Sequence, residues 1–137
     1  MKRLLFLSTA LAPLFIAAVW IEPTKRTEIL SASEVIAVDG DTIDHGDDRY
    51  RLVGFDAPET FRAQCEVERA LGLKAKVRLT EIIQTSGQIE LVIQPDLDVH
   101  DRFLAVGRSG GQEIGKTLIS EGLARRYSGG KRGSWCG

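Results

Sequence analysis

Five charged side chains in this sequence could together do chemistry on a phosphate: Asp41, Arg51, Asp56, Glu59 and Arg102. Asp41 and Asp56 fall near the ends of neighbouring candidate strands. A pairing that brings those ends together would set two hard oxygen ligands side by side, a donor set for calcium or magnesium and not for zinc. Arg51 and Arg102 open or line candidate strands, and a guanidinium fork grips phosphate oxygens through two parallel hydrogen bonds. Glu59 follows Pro58, whose ring fixes the local backbone, and a carboxylate there can take a proton from water. A cation, two arginines and a base describe phosphodiester hydrolysis. Taken singly, Asp41, Arg51 and Glu59 are each as well explained by a solvated surface charge or an ion pair. Asp39, Asp44, Asp47, Asp48 and Arg49 read as turn and solvent-facing residues, and His45 and His100 as loop histidines.

The elements that must position these groups follow from periodicity. Residues 34–38 (EVIAV) and 49–55 (RYRLVGF) read as strands joined through hairpin chemistry at His45-Gly46-Asp47-Asp48. Residues 39–42 form a strand edge between them. From Glu66 to Gln84, Val67, Leu71, Ala75, Leu79 and Ile83 recur at every fourth position, an amphipathic helix widened by Ala70 and Ile82. Gly72 inside it costs ~1 kcal/mol against alanine, and Ser86-Gly87 ends it. Residues 88–94 and 102–108 read as strands, 113–120 as a short helix stopped by Gly122, and 123–127 as extended or irregular. About five short strands around one long helix predict a mainly β, α+β architecture, a small barrel with packed helices.

Compartment bears on the rest. Lys2 and Arg3 precede an uncharged run from Leu4 to Ile21, which predicts an export signal over residues 1–21. As a helix that run would reach roughly 27 Å, and Trp20 sits where an interfacial anchor would. An uncleaved anchor in the inner membrane is therefore the rival to a cleaved signal. Residues 22–32 read as a polar linker, and 33–137 as the exported domain, periplasmic or secreted. In an oxidising compartment, Cys65 and Cys136 are expected to pair, closing a long loop worth ~4 kcal/mol by chain entropy. The alternatives are two free thiols, or a zinc site with His45 and His100 for which no ligand spacing is present. The chain has 137 residues, 43% hydrophobic and 27% charged, enough for one domain with its own core. Its net charge of -1 supplies no global field for a polyanion, so any nucleic-acid contact is local.

Four ordered blocks carry a resemblance: VDGDT at 38–42, RLVGFDAPE at 51–59, DVHDRFLA at 98–105 and LISEGLA at 118–124. In order and spacing they resemble the staphylococcal-nuclease (thermonuclease) family over about Ser33 to Tyr127. The resemblance implies an OB-fold five-stranded barrel with one long and one short packed helix. It implies a Ca2+-dependent endonuclease acting on DNA or RNA with low sequence specificity and leaving 3′-phosphates. Carried over by position, the metal carboxylates fall on Asp41 and Asp56, with the carbonyl of Ala57 as a further ligand. The two phosphate-binding arginines fall on Arg51 and Arg102, and the base that activates water on Glu59.

Two departures stand out. His100 and Asp101 occupy positions where the family often has tyrosine and glycine, and the added charge of Asp101 would weaken phosphate binding at Arg102. The chain also stops soon after Tyr127, leaving no room for a third helix; a Cys65–Cys136 bridge is expected to tie down the tail in its place. A monomer is expected. The alternatives to a nuclease are an inactive OB-fold module that binds single-stranded nucleic acid or a protein partner, and a structural envelope protein that uses its charges for solubility.

Overall fold

The structure is a computed structural model and describes residues 24–137. The predicted signal or anchor over residues 1–21 lies outside the described residues. Within them, no helix is long and apolar enough to cross a membrane. In chain order the elements are β1 (Arg26–Ser31), a 3-10 turn (Ala32–Glu34), β2 (Val35–Asp39), β3 (Thr42–His45), β4 (Asp48–Leu52), β5 (Phe55–Asp56) and α1 (Glu66–Ser86). These are followed by β6 (Gln88–Leu97), β7 (Phe103–Ser109), β8 (Gln112–Glu113), α2 (Ile114–Ser120) and β9 (Arg125–Arg126).

The main sheet runs β1-β6-β7-β4-β3-β2, with β8 on β7. Every pairing is antiparallel except β4 with β7, which is parallel. The two ends of this path, β1 and β2, are consecutive in the chain and separated only by the 3-10 turn. They are two halves of one bent strand, the first pairing with β6 and the second with β3, so the sheet curls back toward its own beginning. Counted this way, the curled sheet has the five principal strands of an OB fold, and α1 and α2 pack against it.

The predicted linker at 22–32 is corrected here, because Arg26–Ser31 is a strand in register with Gln88–Ile93. Only Leu30 of that strand is buried, so its composition is polar even though its backbone is fully paired. Thr42–His45 is likewise a strand of its own, where the sequence suggested a strand edge at 39–42 and placed His45 in the turn that follows. Asp39-Gly40 begins the tight β2–β3 hairpin that makes it one.

The core is built by alternation. Along β6, Ile89, Leu91 and Ile93 point inward while Gln88, Glu90 and Val92 do not. They meet Ile43, Tyr50, Leu52 and Ala105 from the neighbouring strands, Leu79 and Ile83 from α1, and Ile114 and Leu118 from α2. The face of α1 differs from the predicted one at its start: Val67 is 59% exposed, and the buried positions there are Glu68 and Gly72. The cause is the partner. The first turns of α1 lie against polypeptide backbone, so a Cβ built on Gly72 would stand 2.5 Å from the carbonyl oxygen of Glu59 and 2.9 Å from that of Pro58.

Cys65 and Cys136 form a disulfide across 71 positions of sequence, which joins the start of α1 to the tail. Reduction is expected to remove about 4 kcal/mol of stability and lower Tm by more than ~10 °C, read by thermal melts with and without thiol. An unchanged Tm would mean that the bridge does not anchor the tail.

Candidate active site

A hairpin turn and a short strand paired with the distant β9 assemble the acidic centre. Asp41 sits in the two-residue turn between β2 and β3, and its backbone N–H donates to Asp39 Oδ1 at 3.0 Å. Asp39, read from sequence as a solvated turn residue, therefore holds Asp41 in place. Gly40 beside it is required by close approach, since a Cβ there would lie 2.6 Å from that of Ala75 and 2.7 Å from that of Ala57. The Asp41 carboxylate accepts from Ala57 N–H at 2.9 Å and from the Thr42 hydroxyl at 3.2 Å, and it pairs with Arg51 Nη1. Asp56 is placed by the pairing of β5 with β9, opposite Arg125.

Arg51 on β4 lies between these carboxylates. It is 5% exposed and donates to the carbonyls of Asp41 and Phe55, both at 3.3 Å, and its Nη2 lies 3.7 Å from Asp56 Oδ1. Burial pushes the Asp41 carboxyl up to about 6 despite the pull of Arg51, with the Asp39 charge adding to the rise. Asp56 Oδ1 is buried without an aligned hydrogen bond; its nearest cation is Arg132 Nε at 3.2 Å.

Glu59 is held by its backbone, whose N–H donates to Glu68 Oε1 at 3.3 Å. Glu68 is itself buried and also accepts from Gln64 N–H at 2.7 Å, so a helix-start carboxylate fixes the loop that carries Glu59. The Glu59 side chain is 38% exposed and meets Arg132 Nη1 at 3.3 Å.

Arg102 is gripped by Asp98, which takes Nε at 2.9 Å, Nη2 at 2.7 Å and the Arg102 backbone N–H at 3.0 Å. Burial alone would raise the Asp98 carboxyl, but the hydrogen bonds from Arg102 and from the His100 N–H outweigh it and hold it at about 2. A native value below the ordinary one means that the unfolded chain binds more protons between about pH 2 and 4. The stability from Asp98 is thus complete above that window and lost as the pH falls through it. Asp98→Asn is expected to cost about 2 kcal/mol at neutral pH and much less near pH 2, measured by urea unfolding at both. Asp101 sits in the left-handed region with φ 58°, in the turn that leads into Arg102.

An open cleft of about 340 Å³ is lined by Asp41, Arg51, Glu59 and Arg102 together, with Arg49, Arg62 and Arg132. Asp56 and Ala57 line an adjoining cleft of about 770 Å³ that shares Glu59, Arg62 and Arg132. All six predicted site residues therefore lie on one continuous surface. Arg49 is tied to Asp44 at 2.7 Å, as a solvent-facing pair would be. Sequence reading missed Asp39, Glu68 and Asp98, of which only Asp98 had a signal, its place at the head of the DVHDR block. Arg132 is legible only as one of four basic residues, with Arg125, Arg126 and Lys131, that either guide a polyanion or form a solvated tail.

No cluster of three or more His, Cys, Asp or Glu side chains suited to a metal occurs among the described residues. Two buried carboxylates, Asp41 and Asp56, are nonetheless hard-oxygen donors. One of their oxygens lacks a hydrogen bond and one carboxyl is raised by desolvation, which are conditions that a divalent cation relieves.

Among curated proteins no sequence matches the chain. The family described as staphylococcal nuclease homologue matches residues 49–133. That span takes in Arg51, Asp56, Glu59 and Arg102 with the strands and helices that carry them. With the curled sheet and the shared cleft in view, this match over most of the chain shows that the protein belongs to the staphylococcal nuclease homologue family, a family of nuclease-like or nucleic-acid-binding OB-fold modules.

Proposed function

We propose that the protein is an exported, calcium-dependent endonuclease that hydrolyses phosphodiester bonds of DNA or RNA with low sequence specificity, acting as a monomer. The observation that carries this reading is the single cleft that gathers Asp41, Arg51, Glu59 and Arg102 from four separate segments. The apolar N-terminal run and the disulfide support export, with the run as a cleaved signal or a retained anchor.

In this mechanism Glu59, at the junction of the two clefts, accepts a proton from the attacking water. Arg51 and Arg102 donate to the phosphoryl oxygens as charge grows on them. The water oxygen bonds to phosphorus as the P–O5′ bond breaks, and the departing 5′ oxygen takes a proton from solvent to become a 5′-hydroxyl, so the phosphate stays on the 3′ side. Asp41, Asp56 and the Ala57 carbonyl would hold the calcium ion, which supplies Lewis-acid polarisation of a phosphoryl oxygen.

The full-length protein incubated with single-stranded DNA is expected to give shortened products in calcium and none in excess chelator. Undiminished cleavage in chelator would overturn the calcium requirement. Binding without cleavage in either condition would instead support an inactive OB-fold module.

A further inference from the structure

The C-terminal tail carries a cation into the site for which the reading above has no role. Residues beyond Tyr127 form no regular element, yet they are tied down repeatedly. Cys136 is bonded to Cys65 at the start of α1. Trp135 Nε1 donates to Asp56 Oδ2 at 3.4 Å, and the Arg125 guanidinium lies 3.5 Å over the Trp135 ring while donating to the Ser134 carbonyl at 2.7 Å. The Tyr127 hydroxyl donates to the Gly130 carbonyl at 2.8 Å, and Gly129 and Gly130, at φ 110° and 87°, turn the chain back. These contacts deliver Arg132 to a place 3.2 Å from Asp56 and 3.3 Å from Glu59, lining both clefts.

We propose that Arg132 is a third phosphate-binding arginine, presented to the nucleic-acid strand by a disulfide-tethered tail, and that reduction of Cys65–Cys136 withdraws it. The inference rests on the nucleic-acid reading of the site. The side chain of Arg132 is 40% exposed; of the five donors of a guanidinium, Glu59 takes one at 3.3 Å, the Asp56 contact is an ion pair without an aligned hydrogen bond, and the Tyr127 ring flanks the group at 5.5 Å. The residue lines both clefts, beside Arg62 and Lys131. The tail is otherwise held by Trp135, Arg125 and the bridge, so Arg132 is not needed to keep it there. In the reductive step a dithiol gives up two electrons and two protons. The S–S bond breaks, each cysteine sulfur gains a hydrogen, and the dithiol closes to its own disulfide.

The test is binding of the full-length protein to fluorescent oligo(dT) in chelator, by anisotropy over about 50–200 mM salt. Arg132→Gln is expected to weaken binding about tenfold and to flatten the slope of log affinity against log salt by roughly 0.7, one contact on a single strand. Arg132→Lys keeps the slope. Thiol reduction of the unmutated protein reproduces the loss seen in Arg132→Gln and adds nothing to that variant, with the fold followed by circular dichroism. Unchanged or tighter binding in Arg132→Gln overturns the proposal, the tighter result marking Arg132 as a plug. Equal losses on reduction with and without Arg132 overturn the tether. If the folded, unmutated protein binds no oligo(dT), the nucleic-acid reading fails and the inference with it; if it binds and Arg132→Gln matches it, the inference alone fails.

Discussion

Glu59→Gln is expected to lower kcat on single-stranded DNA by roughly 10²–10⁴-fold while leaving Tm close to that of the unmutated protein. The substitution keeps shape and removes only the ability to hold a proton. The loop is fixed through the Glu59 backbone N–H on Glu68, which glutamine preserves. The side chain is 38% exposed and its one ion pair among the described residues is to the partly exposed Arg132, a surface-type contact of little energetic weight. Single-turnover cleavage in calcium together with a thermal melt separates the two effects. A loss of less than about tenfold would remove Glu59 from the role of base.

Arg51→Ala is expected to damage both activity and stability. The guanidinium is buried between Asp41 and Asp56 and donates to two backbone carbonyls. Its removal leaves buried carboxylates without their compensating charge, a change that typically costs about 3–5 kcal/mol. Loss of a donor to the developing phosphoryl charge should lower kcat by a further 10²–10³-fold, on the order found for single transition-state donors. Calcium should recover part of the stability, because a ligand that binds only the folded state shifts the equilibrium toward it. Urea unfolding with calcium and with chelator checks this. Equal stability of variant and parent in chelator would show that the pair has no structural role.

The contrast between these variants also shows what sequence can carry. Periodicity exposed α1, β6 and β7, because each buries one face and alternates or steps in register with it. The first half of the opening strand had no such pattern. Arg26–Ser31 buries only Leu30 and is held by backbone pairing to β6, which leaves no mark on side-chain composition. At the site, Asp41, Arg51, Asp56, Ala57, Glu59 and Arg102 were legible through ordered blocks and not through any one residue. Their supports were not. Glu68 reads as the polar face of a helix until its carboxylate is seen turned back onto Gln64 and Glu59. Arg132 reads as one of several basic residues that are either solvated or guide a polyanion, with no link to the site, until a bond between residues far apart in sequence folds that tail over Asp56.

Gly72 inverts an ordinary engineering rule. A stabilisation programme guided by helix propensity would choose it first, since alanine there promises ~1 kcal/mol. Yet the added methyl would press on the Pro58 and Glu59 carbonyls, the backbone that aims the proposed base. Mutational tolerance along α1 is therefore expected to run opposite to intrinsic preference: permissive at exposed Val67, Leu73 and Val77, and closed at the residue that looks weakest.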